Sequence, residues 1–452
     1  MKCQKVVEET RAFLKILGLD ERRLTLKWIS ASEGAVFADE ITAFVNTLKE
    51  LGENPLHIRR EWDQETADAP GPDRDADPLL LTRDQIEYCM ECSICTGTCP
   101  VSRQHPTFSP KQIIKQATMH LDEELLQSRE LWSCLGCGHC SIRCPAMIDF
   151  PVFNRSYRAK ARKMGLAPLP SHHGIHQAIV QMQTRSIWQQ RIDWAKGSGR
   201  FHAQGEFFYF VGCLPYYDIT FRYLNLSPLK TAKSILSLLN RIGIEPVISQ
   251  EERCCGHDAL WSGDEDTFKS LAQWNMETIL ASGAKTVLFA CPEGYATFKY
   301  EYPKVVGELP FEVVYLTELL TSQLLEAEIT FKPSSDEVIT YQDPCRLGRR
   351  SGIYDSPRQL LNAVPNAQLV EMERSRENAL CCGTSAWMEC NSCSKAIQNE
   401  RLMEAEETGA TRLITACSKC QIHFTCAQSR EDFKVEVTDI YTYLLERLKE
   451  KA

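Results

Sequence analysis

Two cysteine runs carry the most specific chemistry in this chain of 452 residues. Cys89-x2-Cys92-x2-Cys95-x3-Cys99-Pro100 and Cys134-x2-Cys137-x2-Cys140-x3-Cys144-Pro145 repeat one spacing. Three thiolates at that spacing hold three corners of a 4Fe-4S cube, and the fourth, turned away at the proline, ligates the neighbouring cube. One cluster is therefore expected on Cys89, Cys92, Cys95 and Cys144, and the other on Cys134, Cys137, Cys140 and Cys99. Zinc rarely uses two such four-cysteine runs, and buried structural thiols need no periodicity. Two adjacent cubes without an open site make an electron wire.

A second constellation reads Cys345-x35-Cys381-Cys382-x34-Cys417-x2-Cys420. Five thiols exceed what one cube needs, and an adjacent pair can bridge metals where a single cysteine cannot, which suggests an unusual cluster. A zinc site using four of the five is the alternative. An earlier counterpart offers Cys213, Cys254, Cys255 and Cys291, but Gly294 stands where the second cysteine of a Cys-x2-Cys would fall. That leaves a four-thiol site as the candidate for a further cluster.

Other residues surround these thiols. His257 and His423 are candidates for proton donors or distal ligands, since imidazole titrates near neutral pH, or for simple hydrogen-bond partners of a thiolate or carbonyl. Arg346, Arg349, Arg350 and Arg358 flank Cys345 and suit an anionic thiol substrate, or else offset cluster charge. Cys390, Cys393 and Cys426 have no assignment. No GxGxxG follows a strand, so neither flavin nor nicotinamide is expected on the chain itself.

The elements that must position the cysteines form an internal repeat over 206–452. Ser282-Gly-Ala-Lys-Thr-Val-Leu-Phe-Ala-Cys291 parallels Thr408-Gly-Ala-Thr-Arg-Leu-Ile-Thr-Ala-Cys417, and equivalent cysteines are offset by 132, 127 and 126 residues. Each half runs from a β-rich segment ending in Cys, through Cys-Cys-Gly, to a helix, a strand and another Cys. The repeat implies a duplicated α/β domain, with its cysteines at the C-terminal ends of strands, where open parallel sheets place their sites. The expected divisions are first and second Cys-Cys-Gly domains at 206–330 and 331–452, a helical two-cluster ferredoxin-type module at 79–165, and a polar helical connection at 166–205.

At the start, residues 1–58 read as a small αβα docking unit, and the full fold class is multidomain α/β with α+β. Val6, Thr10, Phe13, Leu14 and Leu17 share a helical face that Gly18 ends, and Leu24, Leu26 and Trp28 alternate as a half-buried strand. Ser30-Ala31-Ser32-Glu33 has capping-box spacing before a helix carrying Phe37, Ile41, Phe44, Val45 and Leu48. So short a unit buries little alone and is expected to dock on something larger. DQETADAPGPDRDADP, within a linker at 59–78, lacks large apolar residues.

Composition narrows the function class. The net charge of -9 disfavours a nucleic-acid partner. No stretch approaches the roughly 18 apolar residues of a spanning helix, and the start has no signal-peptide core. The expectation is a cytoplasmic protein, whose 21 cysteines serve metal or redox chemistry and not disulfides.

These residues carry a resemblance. The two cysteine runs followed by CCGHDALWSGD, DPCRLGRRSGIYDSPR, CCGTSAW and ACSKCQIH resemble a fusion of the iron-sulfur and catalytic subunits of heterodisulfide reductase. The resemblance implies an oxidoreductase with two ferredoxin-type 4Fe-4S clusters and a noncubane 4Fe-4S cluster on Cys345, Cys381, Cys382, Cys417 and Cys420, where a disulfide is reduced in one-electron steps. The first motif departs at Gly294. FLKILGLDERRLTLKWISASEGAVFADEITAFVNTLKELG is similar to the C-terminal tail of the delta subunit of methyl-viologen-reducing hydrogenase, which implies docking to a flavin-containing heterodisulfide-reductase-like partner. Hydrogenase, formate dehydrogenase or NADH dehydrogenase subunits are further expected partners, with electrons passing to or from the flavin subunit. Two rival readings are a relay to another oxidoreductase, such as a dehydrogenase or methylene-tetrahydrofolate reductase, and a quinone-linked dehydrogenase subunit.

Overall fold

A computed structural model of the chain describes residues 2–29, 34–52, 86–326 and 329–449. The expected linker at 59–78, the module start near Leu79 and the Ser30–Glu33 capping box lie outside the described residues. Among the described residues, seven short strands form two sheets: β1 (Phe207–Phe210), β2 (Thr286–Phe289) and β3 (Glu312–Tyr315), then β4 (Glu337–Gln342), β5 (Ala367–Leu369), β6 (Arg412–Thr415) and β7 (Glu436–Asp439). Their β-branched and aromatic residues suit a pleated surface, and the near-continuous apolar runs suit sheets covered on both faces.

Every strand pair is parallel. The sheet orders are β1-β2-β3 and β5-β4-β6-β7. Val247 bridges parallel to Phe208 on β1, in the place that β5 takes beside β4. The two halves thus share one topology. They meet across Tyr315, whose hydroxyl lies 2.9 Å from the Ala290 carbonyl and 2.5 Å from that of Ala416, the residues before the equivalent cysteines Cys291 and Cys417. Described residues 86–165 pack as short helices and turns ending in the helix Phe150–Lys163, and their apolar side chains join one continuous core with both sheets.

At the N-terminus, helix α1 (Lys2–Ile16) seats Phe13, Leu17 and Leu19 against Ile179, Ile187, Tyr216 and Ile219. Gly18, at φ +71°, lies so close to the Trp188 carbonyl that no Cβ fits there. The expected strand over Leu24–Trp28 does not form: residues 24–29 have no ladder partner among the described residues, and Trp28 is 70% exposed. Alternation alone satisfies side chains, but a strand also needs a neighbour for its backbone. Here the Arg11 guanidinium supplies Leu24 with its partner, at 3.0 Å. Helix α2 (Gly34–Glu50) leaves Phe37, Ile41 and Val45 exposed along one stripe.

The connection at 166–205 is also less helical than its polarity suggests. Its helix spans only Ile175–Met182, and much of the remainder is turn.

Candidate functional site

The strands deliver their cysteines as the repeat implies. Cys213 and Cys345 lie three residues beyond β1 and β4, and Cys291 and Cys417 two beyond β2 and β6. Each Cys-Cys-Gly turn then needs its glycine. Gly256 has φ +79°, and a Cβ there would lie 2.8 Å from the Phe268 ring; Gly383 has φ +80°, and a Cβ would lie 2.6 Å from the Ser394 carbonyl oxygen. Only a residue without a side chain permits both the left-handed turn and the close approach.

The thiols gather into four groups. Cys89, Cys92, Cys95 and Cys144 line one cavity, which Cys140 also touches, and Cys92 is exposed to solvent. Cys99, Cys134, Cys137 and Cys140 line a second cavity. Cys381, Cys382, Cys417 and Cys420 lie in one buried cluster, and Cys345, which Cys381 influences most, completes a third group. Cys213, Cys254, Cys255 and Cys291 form the fourth, with the Cys213 and Cys254 sulfurs 3.7 Å apart.

The second and third groups touch. Cys137 packs against the cluster that contains Cys381, and Cys381, with Arg349 and Arg346, holds Cys137 down to about 6 against its burial. Cys345 is likewise lowered, first by Cys381 and then by Arg346 and Arg349. Burial above all pushes Cys99 up to about 12. At the far side of the five-thiol group, His423 Nδ1 lies 3.3 Å from Cys382 Sγ.

Between the third and fourth groups sits a buried ionic cluster. The Lys419 ammonium pairs with Asp258 and, at 2.6 Å, with Glu293, while His257 Nδ1 lies 3.0 Å from Asp258 and 3.5 Å from Glu293. Burial lowers His257 below its ordinary range. A Cβ at Gly294 would lie 3.2 Å from the Phe289 ring, a tight contact at the place of the absent cysteine.

The four arginines beside Cys345 divide into two pairs. Arg358 is clamped by Asp343 at 2.7 Å and Glu371 at 2.6 Å, and Arg350 by Asp149 at 3.0 Å and Glu301 at 2.8 Å. Arg346 and Arg349 face the thiols. Cys390 is exposed and Cys393 half-buried, and Cys426 lies 3.3 Å from the Lys395 ammonium.

Several residues that position the thiols carry no signal in sequence. Glu252 accepts the N–H groups of Val211 and Gly212 at 3.0 and 2.8 Å and pairs with Arg191 at 2.7 Å, which ties the Cys213 loop to the chain entering Cys254. Gln183 accepts the Cys254 N–H at 2.9 Å. His176 stacks on Trp387 at 4.4 Å, and Trp387 donates to the Tyr217 hydroxyl at 3.0 Å. A buried glutamate beside an arginine could have been flagged as a pair, but its partner on the polar connection could not.

The donor set also bears on metal type. A tetrahedral zinc with bonds of about 2.3 Å needs sulfurs roughly 3.8 Å apart. Among the described residues, the only ligand triad within 4.8 Å is His257, Asp258 and Glu293, which contains no thiol. In the first two groups the sulfurs are spread around cavities, as a multi-iron group requires. Where such groups bind, these are the residues that would hold them.

Parallel sheets with cysteines at their C-terminal ends, joined to a module with two cysteine-lined cavities, define an iron-sulfur oxidoreductase subunit with an electron-transfer role. Comparison with known proteins agrees. Residues 207–299 and 339–425 each match the cysteine-rich CCG domain, residues 85–148 the 4Fe-4S dicluster domain, and residues 1–52 the delta subunit of methyl-viologen-reducing hydrogenase. The chain is a homologue of a subunit of dihydromethanophenazine:CoB-CoM heterodisulfide reductase from Methanosarcina acetivorans, 28% identical over 80% of this chain and 94% of that one. It is also similar to a subunit of the fumarate reductase (CoM/CoB) of Methanothermobacter marburgensis, 25% identical over 77% of this chain and 69% of that one. Among solved structures, a hypothetical protein from Helicobacter pylori shares the fold, with a TM-score of 0.52 at 13% identity over 82% of this chain and 74% of that one. Among the described residues, no helix is long and apolar enough to cross a membrane.

Proposed function

We propose that the chain is the electron-transferring subunit of a cytoplasmic heterodisulfide-reductase-like complex, and that it reduces a small disulfide or similar two-electron acceptor at Cys345, Cys381, Cys382, Cys417 and Cys420. The observation that carries this reading is the packing of Cys137 and Leu135 of the ferredoxin-type module against the buried cluster that holds Cys381, Cys382, Cys417 and Cys420, with Cys137 and Cys345 lining one cleft. Iron-sulfur clusters bound there, two of ferredoxin type and one noncubane, would supply one-electron transfer.

The chain's own residues do the rest. Cys89, Cys92, Cys95 and Cys144 form the solvent-facing end of the path, and Cys99, Cys134, Cys137 and Cys140 the inner end. The apolar cluster around Cys381, Cys382, Cys417 and Cys420, with Met372, Leu402 and Phe424, keeps water from the terminal thiols. His423 holds a ring nitrogen at Cys382 and is placed to orient that thiol or its proton. On the N-terminal unit, the exposed stripe Phe37, Ile41 and Val45 is the docking face for a flavin-containing partner, consistent with the likeness of residues 1–52 to a hydrogenase delta subunit.

One observation favours the relay reading. Gly294 leaves the first site with four thiols, so two complete five-thiol sites are not available for splitting a disulfide between them. In a relay, electrons reach Cys345–Cys420 and pass to another oxidoreductase. Disulfide reductase assays with a reduced viologen donor separate the two: Cys382→Ser abolishes turnover under the catalytic reading, and full activity in that variant would remove it.

A further inference from the structure

Arg346 and Arg349 are the two cations near Cys345 that the carboxylates do not claim. The Arg346 guanidinium lies 3.7 Å over the Trp261 ring and is 5% exposed. Arg349 gives its donors to the carbonyls of Cys137, Glu377 and Ala379, at 2.7, 3.1 and 2.6 Å. One terminal nitrogen of each, Nη2, is buried with no hydrogen-bond partner among the described residues. Carbonyls and a ring orient a guanidinium, but they leave its charge in place, and a buried charge is costly unless an anion answers it.

The answering anions are the thiolates on either side. Both arginines line one cleft with Cys137 and Cys345. Gly136 brings Arg346 close: a Cβ at that residue, φ +62°, would lie 2.9 Å from Nη2. Burial draws Arg349 down, and the Cys137, Cys345 and Cys381 thiolates more than restore it.

We propose that Arg346 and Arg349 are potential-setting residues shared by two redox groups, the one that includes Cys137 and the one that includes Cys345. This rests on the reading that both thiol sets hold iron-sulfur groups. Adding one electron adds one negative charge to either group, and the same two cations stabilise that charge on both sides. Loss of one arginine therefore makes both groups harder to reduce, and reducing one group makes the other harder to reduce. Hydrogen bonds and net charge around the sulfurs are established determinants of such potentials.

The test is an anaerobic redox titration followed by EPR on the full chain, with iron content measured first. Arg346→Gln and Arg349→Gln are expected to lower both midpoints together while the iron content is unchanged, and Arg346→Lys to keep them near those of the unsubstituted protein. Unmoved midpoints in both glutamine variants, or a shift confined to one group, would overturn the proposal. If Arg346→Gln does not fold, Arg349→Gln decides by the same criterion. A protein holding only about eight irons before any substitution, four for each of two clusters, would instead remove the reading beneath it.

Discussion

Glu293 and Lys419 stand at equivalent positions in the two repeats, each two residues past a strand-end cysteine, and their side chains meet at 2.6 Å between the two thiol sites. In the second repeat the next residue is Cys420; in the first it is Gly294. The halves therefore differ where the fifth thiol belongs, and there they carry complementary charges that join them. Asp258 completes the arrangement, so that one buried ammonium answers two carboxylates.

Removing that ammonium leaves Asp258 and Glu293 buried without a cation. Lys419→Met is expected to destabilise the protein by about 3–5 kcal/mol. Chemical unfolding under anaerobic conditions measures it, and adding Glu293→Gln should recover part of the loss. Equal stability of Lys419→Met and the unsubstituted protein would mean that the pair contributes nothing.

Glu301 predicts an acid transition. Burial raises its carboxyl, but Arg155, Lys304 and Arg350 outweigh that and hold it at about 2, below the ordinary 4.5. A depressed pKa contributes stability above the unfolded value and loses it as pH falls from about 4.5 toward 2. The shift corresponds to roughly 3 kcal/mol at neutral pH. Glu301→Gln should remove that increment and flatten the acid limb of stability against pH, and an unchanged acid limb would contradict the assignment. Because Arg155 belongs to the helix that closes the ferredoxin-type module and Arg350 to the second CCG segment, the same carboxylate joins three parts of the chain.

At Gly383, alanine must adopt φ +80° and place its Cβ 2.6 Å from the Ser394 carbonyl oxygen. The left-handed conformation costs about 1–2 kcal/mol and the overlap a further ~1–3 kcal/mol. Gly383→Ala should therefore disturb the Cys381-Cys382 turn selectively. EPR and iron analysis should show the ferredoxin-type signals retained and the five-thiol signal lost.

The chemistry was legible where it is local. A spacing such as Cys134-x2-Cys137-x2-Cys140 constrains its thiols through a few backbone torsions, so the run can be read without the fold. The repeat was legible for the same reason, since Cys291 and Cys417 follow matching strands. The packing of Cys137 against the cluster that holds Cys381, the Arg191–Glu252 pair and the Glu293–Lys419 pair were not legible, because each joins residues whose approach depends on how separate segments pack. Leu24–Trp28 shows the opposite failure: its alternation is real, but among the described residues no neighbouring strand uses it.

Gly18 offers a test of the N-terminal docking. Its φ of +71° and its closeness to the Trp188 carbonyl leave no room for a side chain. Gly18→Ala should loosen α1 from Ile179, Ile187, Tyr216 and Ile219 by about 2 kcal/mol or more. Limited proteolysis would then release the N-terminal segment faster than from the unsubstituted chain, with the cluster signals unaltered.

The central claim is that the five-thiol group holds a redox centre that meets a thiol substrate, and anaerobic iron and acid-labile sulfide analysis with EPR tests it most directly. The protein should be titrated with a small dithiol or its disulfide. The account predicts about 12 irons per chain, four for each of three clusters, and a new signal on thiol binding that Cys382→Ser lacks. About eight irons with stoichiometric zinc, and no thiol-dependent signal, would contradict it.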